Sequence, residues 1–330
     1  MPGTEVAGGL KGPNMKAVVI DRFGGPEQLR LAEIRTPEPE AGEVLIKIEY
    51  TSVNPVDWKI REGMLESMFP HAFPLILGWD AAGTVAAVGD GVHGFGVGER
   101  VYAYCRKPLV QWGTYAEYVT MPAAAVAPMP SVLSFAEAAT IPLVGLTSWQ
   151  SLFDVAHLEV GQSILILNGA GGTGSLAIQI AKHAGARVFA CSSAGNHDYL
   201  RSLGADVLID YRSADVGAVV KAHAPEGVNV IYANIGGKPH MQSYGLVKAG
   251  GTLVSIVDQP DKDAADAVGA AAVYVFVEPN GKHLREIARL IQAGFVKPPQ
   301  ITVMKLEEAA EAHRLSEADH VRGKIALKVS

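Results

Sequence analysis

Cysteine is nearly absent from this chain. Its 330 residues contain two, Cys105 and Cys191, which excludes a disulfide framework and a four-cysteine structural zinc site within one chain. Two free thiols suit a reducing compartment, and a cytoplasmic location is expected on that ground. None of the ten histidines belongs to a His-Glu-x-x-His pattern, and neither cysteine has a histidine beside it. No metal site is therefore expected. A Gly-x-Ser-x-Gly nucleophile elbow is also missing. Positive charge is scarce: 28 Lys and Arg stand against 34 Asp and Glu, for a formal net charge of -6. That balance argues against a nucleic-acid partner but leaves room for a local pocket that takes one phosphate. No apolar run is long enough to span a bilayer, so no membrane partner is expected either.

Apolar residues make up 48% and charged residues 19%, enough for a sizeable core, and the length suggests two domains. Residues 1–14 are rich in glycine and lack the apolar core of a signal peptide. They read as a flexible leader, either native or an added remnant, with Met15 as an alternative start. From Met15 the first third is strand-like, with Val44-Leu45-Ile46-Lys47-Ile48 alternating in part and glycine and proline punctuating at barrel-like intervals. The pattern changes near Ser134, which suits a helix N-cap. Strands then alternate with helices, which predicts a doubly wound parallel sheet. The run Ser163-Ile164-Leu165-Ile166-Leu167-Asn168 has the continuous apolar character of a strand covered on both faces.

Directly after that run comes Gly169-Ala170-Gly171-Gly172-Thr173-Gly174, a Gly-x-Gly-x-x-Gly turn with an amphipathic helix behind it. In this context the motif reads as a dinucleotide-binding turn. Gly169 would allow the tight turn, Gly171 would admit the pyrophosphate, and Gly174 would let helix and strand pack closely. The backbone N–H groups at the helix start, around Gly172 and Thr173, would bind the phosphates. About 20 residues on, where an acid would hold the ribose of NAD, stand Ser192 and Ser193. Their hydroxyls, with Asn196, His197 and Arg201 nearby and Tyr211-Arg212 after the next strand, favour NADP(H). The same serines also read as helix caps, and Arg201 as a solvated face residue. With neither metal nor nucleophile in view, the cofactor has to carry the chemistry.

Further motifs run along nearly the whole chain, from about Met15 to Val329. They are Gly24-Gly25-Pro26-Glu27, Thr51-Ser52-Val53-Asn54-Pro55-Val56-Asp57-Trp58-Lys59, Leu77-Gly78-Trp79-Asp80-Ala81-Ala82-Gly83, Pro142-Leu143-Val144-Gly145-Leu146-Thr147-Ser148-Trp149 and Arg322-Gly323-Lys324-Ile325-Ala326-Leu327. With the glycine turn, they make the chain resemble the quinone oxidoreductase branch, zeta-crystallin-like, of the medium-chain dehydrogenase/reductase superfamily. The resemblance implies an α/β fold: a GroES-like β-barrel catalytic domain, split in sequence, with a Rossmann domain inserted. The expected boundaries are 15–138 for the first part of the barrel, 139–275 for the NADP-binding domain and 276–330 for the C-terminal return. The zinc-dependent relatives place Cys at or near the position of Asn54 and His-Glu after Gly78. Here Trp79-Asp80 follows Gly78, so the resemblance also implies a metal-free member, and a homodimer.

Carried over residue by residue, the resemblance places Asn54 against the nicotinamide and its ribose and Thr147 at the nicotinamide end. It places Ser192, Ser193, Asn196 and Tyr211 at the 2′-phosphate, although many relatives carry Lys or Arg where Gly195 stands. Asn234 and Ile235 would cover the nicotinamide, and Lys324 would lie near the cofactor. Hydride would pass from NADPH to a small hydrophobic electrophile lined by Tyr50, Trp58 and the 69–73 loop. Asn54, Lys59 or water would stabilise the acceptor oxygen. Asn54 also reads as a turn residue, Asp57 as a helix cap and Lys59 as a surface lysine. Quinone reduction is the first reading of the activity. Reduction of an enone, 2-alkenal or enoyl-thioester double bond is the alternative. A noncatalytic NADPH-binding sensor or structural protein is the reading of another class.

Overall fold

The computed structural model describes residues 13–318 and 323–330. Seventeen strands follow one another among these residues. They are Asn14–Ile20 (β1), Arg30–Arg35 (β2), Glu43–Val53 (β3), His71–Ile76 (β4), Asp80–Val88 (β5), Arg100–Tyr104 (β6), Val110–Trp112 (β7), Tyr118–Pro122 (β8) and Val126–Pro128 (β9). Ser163–Ile166 (β10), Arg187–Ser192 (β11), Val207–Asp210 (β12), Val228–Ala233 (β13), Val247–Ser255 (β14) and Ala271–Tyr274 (β15) come next, then Ile301–Lys305 (β16) and Lys324–Lys328 (β17).

The chain forms two compact units. The first contains the described residues up to Leu143, with Pro279–Arg289 and the described residues from Gln300 on. It holds a four-stranded sheet ordered β2-β1-β4-β7 and a larger sheet ordered β16-β17-β3-β5-β6-β9, with β8 also paired to β3. Val44, Ile46 and Ile48 point to one core from alternate positions of β3, together with Ala81, Val101 and Val119. The sheet is mainly antiparallel, and β17 lies against β3 with Ala326 opposite Ser52. That pairing sets Lys324 near the end of β3.

The second unit contains Val144–Glu278 and Leu290–Pro299. Its six parallel strands are ordered β12-β11-β10-β13-β14-β15, the doubly wound order in which the sequence of strand addition reverses between β10 and β13. Leu165, Phe189, Ile231 and Leu253 are fully buried in one cluster, as a parallel sheet covered on both faces requires. The mixed α/β architecture is thus the expected one. The Ser134 cap is also in place: its hydroxyl accepts the Glu137 N–H at 3.3 Å, and the Glu137 carboxylate accepts the Ser134 N–H at 2.9 Å.

Two expectations need correction. Residues 1–12 of the leader lie outside the described residues, as does Arg322. Pro13 and Asn14 are not part of a leader: the Pro13 carbonyl accepts both the N–H and the hydroxyl of Thr36, at 2.9 and 2.6 Å, and Asn14 begins β1. Leu290–Pro299, expected in the C-terminal return, belongs to the second unit. Gln179 ties it there, accepting the Lys297 N–H at 2.8 Å and donating to the Lys297 carbonyl at 3.1 Å.

Candidate active site

The glycine turn sits at the carboxyl end of β10, at the point where the strand order reverses. Gly171 caps the helix Gly172–His183. Ser175 N–H is the donor that bonds back to Gly171. The N–H groups of Gly172, Thr173 and Gly174 therefore stand at the helix start without an intrahelical acceptor. Together with the helix dipole they form a cradle for an anion. None of Gly169, Gly171 and Gly174 has a positive φ. Their requirement is space. A Cβ on Gly169 would meet Leu200, Ala190 and Ile178 side chains at 2.8 to 3.3 Å, and one on Gly174 would run into the Asn168 carbonyl.

Asn234, at the end of β13, fixes this turn. Its side-chain carbonyl accepts the Asn168 N–H at 2.9 Å, while its amide donates to the Asn168 carbonyl at 2.8 Å and to Thr173 Oγ1 at 3.3 Å. Its amide is thus engaged by the turn itself rather than held free to cover a ligand. Ser148 adds a second tie by donating to the Thr173 carbonyl at 3.0 Å, which draws the buried Thr147 and its helix to the same turn. Ile235 is exposed.

Ser192 closes β11, opposite Asp210 of β12. The Ser192 hydroxyl donates to the Ser193 carbonyl at 3.1 Å, and the Asn196 amide donates to Ser193 Oγ at 3.3 Å. Beside them Gly195 faces open space and Tyr211 is exposed. These four expected residues come together around the ends of β11 and β12. Arg201 does not join them as a free cation, since it pairs with Asp198 at 2.5 Å on the exposed side of its helix.

In the first unit, Asn54 caps the helix Pro55–Arg61 and is fully buried. Its amide is clamped between opposite charges. Nδ2 donates to Asp80 Oδ2 at 2.8 Å, and Oδ1 accepts from the Lys324 ammonium. Lys324 also donates to the Val53 carbonyl at 2.8 Å. Asp80 is satisfied on every side: Ser52 Oγ donates to Oδ2 and the Leu143 N–H to Oδ1, each at 2.7 Å. Burial raises the Asp80 carboxyl and lowers the Lys324 ammonium, while each one's charge opposes the shift of the other. One hydrogen of the Asn54 amide is left uncommitted among the described residues.

Lys59 does not join this cluster. It stands two positions from Asp57 on the same short helix, so the two cannot share a face. Its ammonium lies over the Trp58 ring at 5.6 Å. Tyr50 and Trp58 are half-buried, and the Trp58 indole N–H is buried without an acceptor among the described residues. The cluster instead holds residues not singled out for the site: Asp80 and Ser52, and beyond them Asp57, Tyr115, His313 and Arg61. Asp57 Oδ2 accepts the Asn54 N–H at 2.8 Å, the reach of a carboxylate three residues past a helix cap. That spacing was the one local signal.

Comparison with known proteins gives these two units a family. Residues 40–131 match a profile described as the alcohol dehydrogenase GroES-like domain, and residues 203–327 match one described as zinc-binding dehydrogenase. Over 97% of its length the chain is 31% identical to the whole of a chloroplast envelope quinone oxidoreductase homolog from Arabidopsis thaliana. The chain belongs to the medium-chain dehydrogenase/reductase superfamily, in its quinone oxidoreductase branch. It is an oxidoreductase of the kind that works with a nicotinamide cofactor. A second relative is the NADPH-dependent alkenal/one oxidoreductase, chloroplastic, of Arabidopsis thaliana, 33% identical over 95% of this chain and 79% of that protein. Among solved structures, the quinone oxidoreductase from Coxiella burnetii is 32% identical, covers 96% of this chain and 100% of its own, and superposes with a TM-score of 0.85.

The residues of this family member do not fit the zinc in the profile's description. Asn54 and Trp79 offer no anionic or imidazole ligand, and the Asp80 carboxylate already faces the Lys324 ammonium at 3.8 Å. Burial, together with the charge of Asp80, pushes the Cys105 thiol far above its ordinary range, and burial pushes Cys191 up to about 12. Neither is a ready thiolate. No group of three or more His, Cys, Asp or Glu among the described residues is placed to hold a metal ion. The second unit, by contrast, suits a dinucleotide: the N–H groups of the first helical turn are left for an anion, and the missing side chain at Gly174 lets that helix start pack directly on the Asn168 backbone.

Proposed function

We propose that this protein reduces small, flat, apolar electrophiles with NADPH and without a metal, quinones being the first acceptor class. The observation that carries the cofactor choice is the end of β11, where Ser192 and Ser193 stand in place of an acid. Hydroxyl and amide donors there suit a 2′-phosphate, and no carboxylate at that position repels it. The alkenal/one reductase among the relatives supports a second acceptor class, the activated carbon–carbon double bond.

When bound, NADPH supplies a hydride from C4 of its nicotinamide. The chain's own groups bind and orient. The N–H groups of Gly172, Thr173 and Gly174 take the pyrophosphate, and Asn234 keeps the turn that carries them in place. Ser192, Ser193, Asn196 and Tyr211 surround the adenosine phosphate. The Lys324 charge and the spare Asn54 amide hydrogen stabilise negative charge that develops on an acceptor oxygen. Tyr50 and Trp58 provide apolar surface for the acceptor. The edge strand β15, whose outer side has no paired strand among the described residues, supports a homodimer.

Following nicotinamide absorbance in chelator-containing buffer tests this reading. With 1,4-quinones and 2-alkenals as parallel acceptors, kcat/KM is expected to be about tenfold or more higher with NADPH than with NADH, the value of one charge-assisted hydrogen bond. Equal use of both cofactors would remove the 2′-phosphate assignment. The faster acceptor class decides between the two activities.

A further inference from the structure

Behind Asn54 lies a chain of buried polar groups that no part of the proposed reaction uses. Arg61 is completely buried at the end of the helix Pro55–Arg61, four residues from Asp57 and so on the same face. Its guanidinium donates to Glu317 Oε1 at 2.6 Å, to Glu62 Oε1 at 2.7 Å and to the Gly24 carbonyl at 2.9 Å. It also lies 3.1 Å from His313 Nδ1, on the helix Ala309–Glu317. His313 Nε2 is 3.1 Å from the Tyr115 hydroxyl, which in turn is 3.1 Å from Asp57 Oδ2. His313, Tyr115 and Asp57 are all fully buried.

The direction of every bond in this chain follows from the first. Arginine has donors and no acceptor, so His313 Nδ1 has to accept. Burial and the Arg61 charge keep His313 neutral, pushing it down to about 3. Its single proton is therefore on Nε2, which donates to the Tyr115 oxygen. The Tyr115 proton is left to donate to Asp57 Oδ2, beside the Asn54 N–H. Asp57 Oδ1 has no partner among the described residues. The line thus ends on a carboxyl group that receives two hydrogen bonds on one oxygen and keeps the other in reserve.

We propose that Arg61, His313, Tyr115 and Asp57 form a positioning relay that holds Asn54 and sets the charge beside Lys324. This rests on the reading of Asn54 and Lys324 as part of the reduction site. The groups that face Asp57 are Tyr115, Lys324 of β17 and Asp80 of β5, with Arg61 and His313 behind Tyr115. One ammonium therefore serves two carboxyl groups. With Asp57 protonated, Lys324 balances Asp80 alone. With Asp57 ionised, a second negative charge weakens the pull of Lys324 on an acceptor oxygen. Burial pushes Asp57 up to about 7, against the opposing pull of its hydrogen bonds and of Lys324. Turnover then falls as pH rises through neutrality, and the relay decides where.

The Tyr115 hydroxyl stabilises the ionised form of Asp57, so its removal raises the pH at which Asp57 ionises. Tyr115→Phe is expected to move the fall in kcat/KM upward by about one pH unit, the value of a hydrogen bond to a charged group. Infrared spectroscopy of the cofactor-free protein should show the same shift in the titration of a buried carboxylic acid band, which Asp57→Asn abolishes. His313→Ala, which removes the donor behind Tyr115, should give a smaller shift in the same direction and serves if Tyr115→Phe does not accumulate. An infrared midpoint unmoved by both variants overturns the relay, even where Lys324→Met confirms the site by abolishing turnover. If Lys324→Met leaves turnover intact, the site reading fails and the functional part of the relay with it, whatever the infrared midpoint does.

Discussion

Replacing Gly174 by alanine is expected to weaken NADPH binding by about a hundredfold. An added Cβ would run into the carbonyl oxygen of Asn168 and lie 2.9 Å from both its carbonyl carbon and Gly169 Cα. All three atoms are backbone, so no flexible side chain can swing away. The turn cannot simply slide either. Asn234 holds both backbone groups of Asn168, and the Gly169 N–H donates to the Cys191 carbonyl at 2.9 Å. The helix has to move away instead and carries the N–H groups of its first turn with it. Overpacking of this kind costs about 1–3 kcal/mol, and about 2.8 kcal/mol corresponds to a hundredfold in affinity. Gly195 is the control: a Cβ there meets nothing within 4 Å, so Gly195→Ala should bind as the parent does. Fluorescence titration with NADPH, paired with a thermal melt, checks both. Equal affinity for the two variants would mean that the turn does not hold the cofactor.

Asp57→Asn is expected to change how stability depends on pH. Asp57 rises from an ordinary 3.8 to about 7 on folding, through burial. Between those values the folded chain keeps a proton that the unfolded chain has lost. The stabilisation from that proton is full below pH 3.8 and is lost as pH rises through about 7. His313 behaves in the opposite sense, falling from 6.5 to about 3 through burial and Arg61. Its contribution is present above pH 6.5 and is lost as pH falls toward 3. The two slopes oppose each other from about pH 4 to about pH 6.5, which hides both in the parent protein. Asparagine imitates the protonated acid and removes one of them. The variant's stability relative to the parent should then climb by about 1.4 kcal/mol per pH unit, or about 4 kcal/mol between pH 4 and pH 7. Urea unfolding at several pH values in that range measures it. A difference that stays constant with pH would mean that Asp57 does not carry its proton in the folded state.

The glycine turn of the second unit and the Asn54 cluster of the first differ in how far they could be read from the chain. The glycine turn is local: strand, three glycines and helix are contiguous, and each constrains the next. Even so, the reason for Gly169 lay elsewhere than expected, in close approach to Leu200 and Ala190 rather than in an unusual backbone angle. Asn234 was legible as a residue at a strand end but not as the clamp on Asn168, because that pairing depends on β10 and β13 being neighbours. The cluster around Asn54 is non-local throughout. His313 lies 252 positions from Arg61 and 198 from Tyr115, and no spacing rule links such residues. Asp57 could be seen only as a helix cap; the cap is Asn54, with Asp57 its capping-box partner three residues on, and nothing in that role announces a tyrosine and a histidine behind it. Lys59 drew attention as an available positive charge, yet helix geometry turns it away from the face that Asp57 and Arg61 share.

The most direct test of the central claim, metal-independent hydride transfer from NADPH, is a single-turnover experiment with NADPH deuterated at the transferred C4 position. It would be run in chelator with a 1,4-quinone and with a 2-alkenal. The expected result is oxidation that slows on deuteration with at least one acceptor class, with the deuterium retained on carbon in the alkenal product. NADPH that binds but is never oxidised by any acceptor, or a reduced alkenal product formed without deuterium on carbon, would contradict the account.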